Sequence, residues 1–572
     1  MRMKMNTSLS RKLRYGGLSV TLTALIIAAV IIFNVIFSVL TQHFMLYSDL
    51  TPPLQFTLSD AFLDLIENGD DGKTGSESPI DMIEKFRAEN KKYNQENGLS
   101  STDPEWRDEN VKLNIILCDE PDAWKTGNNR FVSHSAHEIE AKFSDYVSVS
   151  YIDTVRNPSA VSKYKENSLS KIYPTTVIVE CGTEYRTRNV RGFFTFDSAD
   201  SDEPWAYNGE KAFASDILAV TRAEAPVACI EVGHGVSYDD YEMLQTLTDA
   251  GYELSEIRLT TDEIPDDCRL IVIMNPKMDF TTGDDGISDV DELAKLDAAL
   301  ERGVSMMVFL SPDNPALPNF EEFLEEWGIK FDRYTDDVGD THSYMVSDGK
   351  QGLSTDGYTF ISEYAPKNKQ TAIISDLMNR PSAPAIVFKN AMSISYPDHF
   401  QETTALLDEA DENSGYTFAY KTVDGITTNV YDLFVSSADA VAWANGREVE
   451  KATDSERLKL MTVSTRTVLT SESYFTSVAD TTYIFACGST NFASLNMLQT
   501  NAYGNNDALL SIFRTVGKEL TPIGLRPKPF DDTTIDVITT AEATRYTVIL
   551  ALVPAVASLL AGVVVLVRRK NR

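Results

Sequence analysis

A histidine between two glycines is the first candidate for chemistry in this sequence. The stretch IEVGHGVSYDD, residues 230–240, places Gly233, His234 and Gly235 between an apolar run and an acidic segment with helical character. A histidine at a strand end can act as a general base or bind a ligand, and flanking glycines let the backbone approach a ligand closely. The same pattern also fits a plain turn from a strand into a helix, and the sequence leaves both interpretations open.

This loop lacks the signatures of nucleotide binding. Tyr238 occupies the position of the third glycine of a G-x-G-x-x-G motif, and no G-K-[ST] follows. Asp239 and Asp240 would repel a phosphate group. We therefore expect no ATP hydrolysis through a Walker motif, and no cofactor.

Two candidate nucleophiles follow other strand-like runs. Ser311 precedes Pro312, which interrupts the strand-to-helix turn of a nucleophile elbow, and the sequence contains no G-x-S-x-G. Cys487 precedes Gly488 and would need a histidine partner. A membrane-tethered envelope hydrolase that uses His234 with one of them is one alternative function. Because we favour a non-enzyme, we expect a His234→Ala variant to stay folded.

The residues that could bind a metal are poorly placed for it. His134, His137 and Glu138 have helical spacing in SHSAHEIE, but they form no H-E-x-x-H motif and no further ligand pattern is apparent. The five cysteines are widely spaced and form no C-x-x-C, which is untypical of a zinc site or a disulfide framework. The sequence predicts no metal site.

Strand–helix–strand patterns with continuous apolar strands surround the histidine loop. They predict an α/β fold with a parallel sheet that is covered on both faces. The predicted strands are 227–232, 270–275, 304–310 and the first part of 481–517, and the predicted helices are 237–250, 289–302 and 319–327. Open sheets of this kind bind ligands at the carboxyl ends of their strands. The candidate ligand contacts are therefore Gly233, His234, Gly235, Asn275, Ser311, Asp313, Ser489 and Asn491.

Other patterns divide the remaining chain. A smaller α/β domain is predicted over 111–225, with a hairpin around Cys181 and Gly182. The parallel-sheet domain is predicted in two parts, 226–334 and 476–530, separated by a β-rich insertion over 335–475. The juxtamembrane segment and polar insertion cover 41–110, and within them we expect 69–110 to be exposed and partly disordered.

Uncharged apolar stretches near both ends predict one transmembrane helix each. Residues 18–40 would span roughly 35 Å as a helix, enough to cross a bilayer, and residues 547–567 form a second such stretch. Basic residues flank both stretches on their outer sides: Arg2, Lys4, Arg11, Lys12, Arg14, Arg568, Arg569, Lys570 and Arg572. The positive-inside rule then places the tails 1–17 and 568–572 in the cytoplasm and residues 41–546 outside the membrane. A cleaved signal peptide is the alternative for the first stretch.

The formal net charge of −34 narrows the set of partners. Such an acidic chain argues against nucleic acid and against anionic lipid headgroups as partners of the region between the two apolar stretches. Contact with membrane lipid is expected only through the two helices.

Several ordered segments resemble the Gldg family, the auxiliary component of gliding-motility-type ABC transport systems. The similar segments follow one another along most of the region between the two apolar stretches: YSDLTPPLQFTLSD, VSVSYIDTVRNPSAVSKY, NGEKAFASDIL, VACIEVGHG, LTDAGYEL, IPDDCRLIVIMNPKMDF, LDAALERGVSMMVFLSPDN, FACGSTNFAS and GNNDALL. The resemblance implies a non-catalytic, amidotransferase-like α/β domain on a membrane-anchored bacterial subunit. Its partners would be an ABC permease and an ATPase, and its cargo is left open. A structural cell-envelope protein without a transporter is the other alternative.

Overall fold

The computed structural model describes most of the region between the two apolar stretches. The described residues are 56–69, 77–164, 172–196, 203–222, 225–236, 241–283, 289–379, 383–407, 415–453, 456–472, 477–500, 502–518 and 520–530. None of the helices in these ranges has both the length and the apolar character that a bilayer crossing requires. The predicted transmembrane segments 18–40 and 547–567 lie outside the described residues.

Two helices precede the first sheet. α1 (Asp60–Glu67) follows Ser59, whose side chain accepts a hydrogen bond from the backbone N–H of Phe62. α2 (Pro79–Asn97) begins with a reciprocal capping box between Ser78 and Asp81. The expectation of a partly disordered segment over 69–110 is wrong for this 19-residue helix. Its sequence is polar because only a narrow stripe, which includes Met82 and Ile83, is buried.

A four-stranded sheet forms the core of the smaller α/β domain. Its elements are β1 (Leu113–Cys118), α3 (Asn129–Lys142), β2 (Val147–Ile152), β3 (Thr176–Cys181) and β4 (Glu184–Asn189). The strand order is β2-β1-β3-β4, and only β1 and β2 are parallel. The expected hairpin is confirmed: β3 and β4 pair through a turn in which Gly182 has a φ of 63°. β5 (Phe194–Thr195), β6 (Ala206–Tyr207) and α4 (Gly209–Thr221) complete this part of the chain.

The parallel sheet follows directly. Its elements are β7 (Val227–Glu231), α5 (Tyr241–Asp249), β8 (Glu253–Ile257), β9 (Cys268–Met274), α6 (Glu292–Glu301), β10 (Ser305–Phe309) and α7 (Pro318–Glu326). β8, β7, β9 and β10 are neighbours in that order, and all pair in parallel. Alternate residues of one strand enter different cores: Leu270 and Val272 pack on one face of the sheet, and Ile271 and Ile273 on the other. This burial on both faces explains why these strands are apolar without alternation.

The next segment is rich in short and long strands. They are β11 (Lys330–Phe331), β12 (Arg333–Thr335), β13 (Thr341–Ser343), β14 (Met345–Ser347), β15 (Thr359–Ile361), β16 (Glu363–Tyr364), β17 (Val387–Lys389), β18 (Ala391–Met392), β19 (Ile394–Ser395), β20 (Gln401–Leu406), β21 (Gly415–Val423), β22 (Ile426–Val435), β23 (Val441–Ala444), β24 (Arg447–Lys451) and β25 (Lys459–Glu472), with the single-turn helix α8 (Ser375–Met378) among them. Strands are thus the main regular elements among the described residues of 335–472.

The chain then returns to the parallel sheet. β26 (Ser477–Cys487) pairs in parallel with β10, with Ile484 opposite Met306. α9 (Leu495–Leu498), α10 (Asn505–Gly517) and β27 (Lys528–Pro529) follow.

The insertion is not structurally separate from the parallel sheet. β25 pairs antiparallel with the second edge of β26, and β22, β21 and β20 continue from it, so that the long strands extend one 12-stranded sheet. β26 offers two edges for pairing, and only one of them is used by β10. The sequence-based division into a sheet domain and an insertion therefore describes chain order but not packing.

Candidate functional site

The eight candidate residues all follow strands of the large sheet. Gly233, His234 and Gly235 follow β7, Asn275 follows β9, Ser311 and Asp313 follow β10, and Ser489 and Asn491 follow β26. β7, β9, β10 and β26 are adjacent and parallel, so their carboxyl ends lie along one edge of the sheet. Their side chains nevertheless make separate sets of contacts.

His234 is held between two buried carboxylates. Its Nδ1 atom lies 3.1 Å from Oε1 of Glu231, and its Nε2 atom is hydrogen-bonded to Oε2 of Glu292 at 3.1 Å. Both glutamate residues are fully buried, and His234 is 4% exposed. The ring also stacks on Phe280, with centroids 3.8 Å apart. This cluster, the carboxylate clamp, joins the end of β7 to the first turn of α6.

The carboxylate clamp favours the protonated imidazolium. Burial alone lowers the pKa of His234, but the neighbouring Glu231 and Glu292 carboxylates outweigh burial, so the pKa is raised above its ordinary value. Burying an unpaired carboxylate costs free energy, and a cation between the two glutamates reduces that cost.

Stability should therefore depend on pH through His234. Because the folded-state pKa is raised, its stabilising contribution is fully present below the unfolded pKa of about 6.5 and is lost as the pH rises through the higher folded value. We expect the difference in unfolding free energy between the wild type and His234→Gln to shrink as the pH rises above about 6.5 and through the raised folded-state pKa. Urea unfolding of both proteins at each pH measures it, and a constant difference would contradict a charged His234.

The glycine–histidine–glycine loop is built as a turn. The backbone N–H of Gly233 donates to Oε1 of Glu231 at 2.6 Å, and a Cβ atom at this glycine would meet the same oxygen. Gly235 has a φ of 67°, in the left-handed region. The carbonyl of His234 accepts from the backbone N–H of Lys277 at 2.7 Å. Asn275, with a φ of 54°, accepts from Nζ of the same lysine at 2.8 Å.

Ser311 belongs to a second turn. Its Oγ donates to Oδ1 of Asp313 at 2.7 Å and to Oδ1 of Asn314 at 3.1 Å. Nδ2 of Asn314 donates to the carbonyl of Pro276 at 2.7 Å, which ties the loops after β9 and β10 together. Ser311 is buried, whereas Asp313 is exposed.

The polar groups of the loop after β26 also make hydrogen bonds within the protein. The Oγ of Ser489 donates to the carbonyl of Lys389 at 2.6 Å, and the thiol of Cys487 donates to the carbonyl of Ser489 at 3.4 Å. The carbonyl of Asn491 accepts from the backbone N–H of Ser494 at 3.1 Å. Burial raises the pKa of the Cys487 thiol far above its ordinary value, so the reactive thiolate is strongly disfavoured.

The alternative hydrolase would need His234 next to a nucleophile. Both ring nitrogens instead face carboxylates, and neither Ser311 nor Cys487 is hydrogen-bonded to His234. This geometry does not provide the nucleophile–base pair that covalent hydrolysis requires.

The histidines of α3 make local contacts. His137 contacts Glu140 at 3.0 Å through Nδ1 and the hydroxyl of Tyr151 at 2.8 Å through Nε2. Glu138 accepts from the backbone N–H of Leu58 at 3.1 Å. Within the described ranges, no three histidine, cysteine or acidic residues are arranged to hold a metal ion.

A cleft next to Asp313 was not predicted from the sequence. It has a volume of about 460 Å³ and lies between the loop after β10 and the β-rich segment. Its lining residues are Pro312, Asp313, Asn314, Pro315, Thr341, His342, Ser343, Met345, Tyr358, Trp443, Asn445 and Gly446. Asn445-Gly446 is a typical turn dipeptide, but no sequence pattern places it opposite Asp313.

Comparison with known proteins gives weak similarities. No family model matches the sequence, and no curated protein matches it. Among solved structures, the chain is similar to the "mmIFT52 N-terminal domain" at 11% identity and a TM-score of 0.30, over 51% of this chain and 96% of that one. It is also similar to a chain of "Structure of PurLQS from Thermotoga maritima" at 13% identity and a TM-score of 0.24, over 51% and 98% of the two chains. At these scores the similarities carry no argument about function.

Proposed function

We propose that this protein is a non-catalytic auxiliary or substrate-binding-like subunit of a bacterial ABC transporter in the cytoplasmic membrane. Residues 41–546 would lie outside the membrane and both tails in the cytoplasm. The chain would associate with a permease and an ATPase, and would contact lipid through its two apolar end segments.

One observation carries the binding role. The cleft of about 460 Å³ lies at the carboxyl end of β10, on the edge of the sheet where open α/β folds place their ligands. The transporter role is supported by the order of the segments that resemble the Gldg family and by the apolar stretches near both ends.

The carboxylate clamp supports a role without catalysis. His234 is the residue best placed by sequence to act as a base, but both its ring nitrogens contact buried carboxylates. His234 is buried and both its nitrogens are engaged by carboxylates, so neither nitrogen is available to take a proton from a substrate, and this histidine is poorly placed as a general base. These contacts favour the turn interpretation of the glycine–histidine–glycine loop over the hydrolase alternative.

Labelling of engineered cysteines tests the membrane arrangement. The five native cysteines are buried, which keeps the background low. We expect a membrane-impermeant maleimide to label Lys91→Cys, at an exposed position of α2, on intact cells, whereas Ser8→Cys should react only after permeabilisation. The opposite pattern would invert the proposed topology.

A further inference from the structure

We propose that the cleft beside Asp313 binds a neutral saccharide. This inference rests on the proposed role as a binding subunit and names the ligand class for it. The cleft volume of about 460 Å³ lies within the range of about 300–1,000 Å³ that small-molecule sites occupy.

The two walls of the cleft are fixed to each other before any ligand binds. Nη1 of Arg333 donates to the carbonyl of Asn314 at 3.1 Å on one wall and to Oγ of Ser343 at 2.8 Å on the other. Nη2 donates to the carbonyl of Pro315 at 3.0 Å, and the guanidinium is also paired with Glu321 at 2.9 Å. Because these contacts already hold the walls, little ordering is needed on binding, which favours affinity for a small ligand.

Aromatic side chains provide the apolar part of the lining. Trp443 and Tyr358 are half-buried and line the cleft together with Met345. Nε1 of Trp443 donates to Oγ of Ser347 at 2.9 Å, which restrains the indole ring. A rigid aromatic ring offers a large apolar surface at a low entropic cost, and the C–H face of a sugar ring is a suitable partner for it.

Neutral polar groups provide the polar part of the cleft lining. The amide of Asn445 and the hydroxyl of Tyr358 make no hydrogen bond to any described residue. Asn445 lies in the left-handed region, with a φ of 48°, in the turn between β23 and β24. Together with the exposed carboxylate of Asp313, these groups can donate to and accept from the hydroxyls of a sugar.

The charges around the cleft exclude an acidic ligand. No lysine or arginine is among the described residues that line it, the nearby guanidinium of Arg333 is paired with Glu321, and Asp313 is its exposed carboxylate. His342, which also lines it, is paired with Asp336 at 3.2 Å. On a chain with a net charge of −34, such a site repels anions. The hydroxyl and amide groups therefore match an uncharged polyhydroxylated ligand.

Calorimetric titration of the purified full-length chain in detergent tests the inference. The probes are maltose, cellobiose, lactose and diacetylchitobiose, with trialanine and tetramethylammonium as probes of a peptide or cation site. We expect at least one disaccharide to bind, and Trp443→Ala to weaken it by about tenfold or more, as loss of a buried aromatic contact does. Asn445→Gly should weaken disaccharide binding less than Trp443→Ala does. Glycine tolerates the left-handed backbone conformation at this position, so the turn is kept. Trp106→Ala changes a half-buried tryptophan away from the cleft and should bind as the wild type does.

The outcomes separate this inference from the proposed function. The saccharide inference is overturned if no disaccharide binds or if disaccharide binding is unchanged by both cleft substitutions. It is also overturned if only trialanine or tetramethylammonium binds and this binding depends on Trp443. If the chain binds a disaccharide but is purified without transporter subunits, the transporter role is contradicted and the saccharide site is supported. If transporter subunits are recovered but no disaccharide binds, the transporter role is supported and the saccharide site is contradicted.

Discussion

Replacing His234 by alanine is expected to lower the free energy of unfolding by about 3–5 kcal/mol, the usual cost of breaking a buried ion pair. The substitution leaves Glu231 and Glu292 fully buried without the cation between them. It also removes the ring that stacks on Phe280. Urea unfolding followed by tryptophan fluorescence measures the loss. Because folded domains are typically stable by about 5–15 kcal/mol, such a loss is compatible with the expectation from sequence that the variant stays folded, but with a smaller margin.

His399→Ala is the matched control for this prediction. His399 is exposed, and an exposed substitution usually changes stability by less than about 0.5 kcal/mol. Equal stability of the two variants would show that the carboxylate clamp does not hold the loop after β7.

Replacing Arg188 by methionine is expected to destabilise the protein by a similar amount, about 3–5 kcal/mol. Its guanidinium makes a two-pronged contact with Asp216 of α4, at 2.9 Å from Nε and 2.7 Å from Nη2. Nη2 also lies 3.7 Å from Asp249 of α5, which is paired with Lys211 at 3.1 Å. The network joins the smaller α/β domain to the large sheet domain, so its loss should loosen that junction. Calorimetry of thermal unfolding measures the effect.

Arg186→Met offers a control on the same strand. Arg186 also lies in β4, but its guanidinium is 3.8 Å from Glu253, and the two side chains are 41% and 60% exposed. Exposed pairs of this kind contribute about 0–1 kcal/mol. If the two variants melt at the same temperature, the buried network does not stabilise the junction.

The parallel strands could be predicted because their environment leaves a clear signature. β7, β9, β10 and the end of β26, from Ile484 to Cys487, are buried on both faces, and each appears in the sequence as an apolar run. β8 gave no such signal, since it is an edge strand whose residues Glu253, Leu254 and Glu256 are exposed. α2 was missed because its surface is mostly polar, although the capping box of Ser78 and Asp81 was a local signal for it.

The site could be predicted only to the level of individual loops. The sequence places His234 at a strand end, but it does not reveal that Glu292, from the start of a later helix, meets its Nε2 atom. Likewise, Asp313 could be assigned to a strand end, whereas Trp443 and Asn445 reach the same cleft through strands whose pairing is set by tertiary contacts. Contacts between residues far apart in sequence have no periodic signature.

The transporter role is tested most directly by purifying the tagged full-length chain in a mild detergent and identifying its partners by mass spectrometry. We expect an ABC permease and an ATPase to be recovered in stoichiometric amounts, and to be missing from a parallel purification of an unrelated tagged membrane protein. If the chain is recovered alone under conditions that keep other transporters intact, the auxiliary-subunit proposal is contradicted.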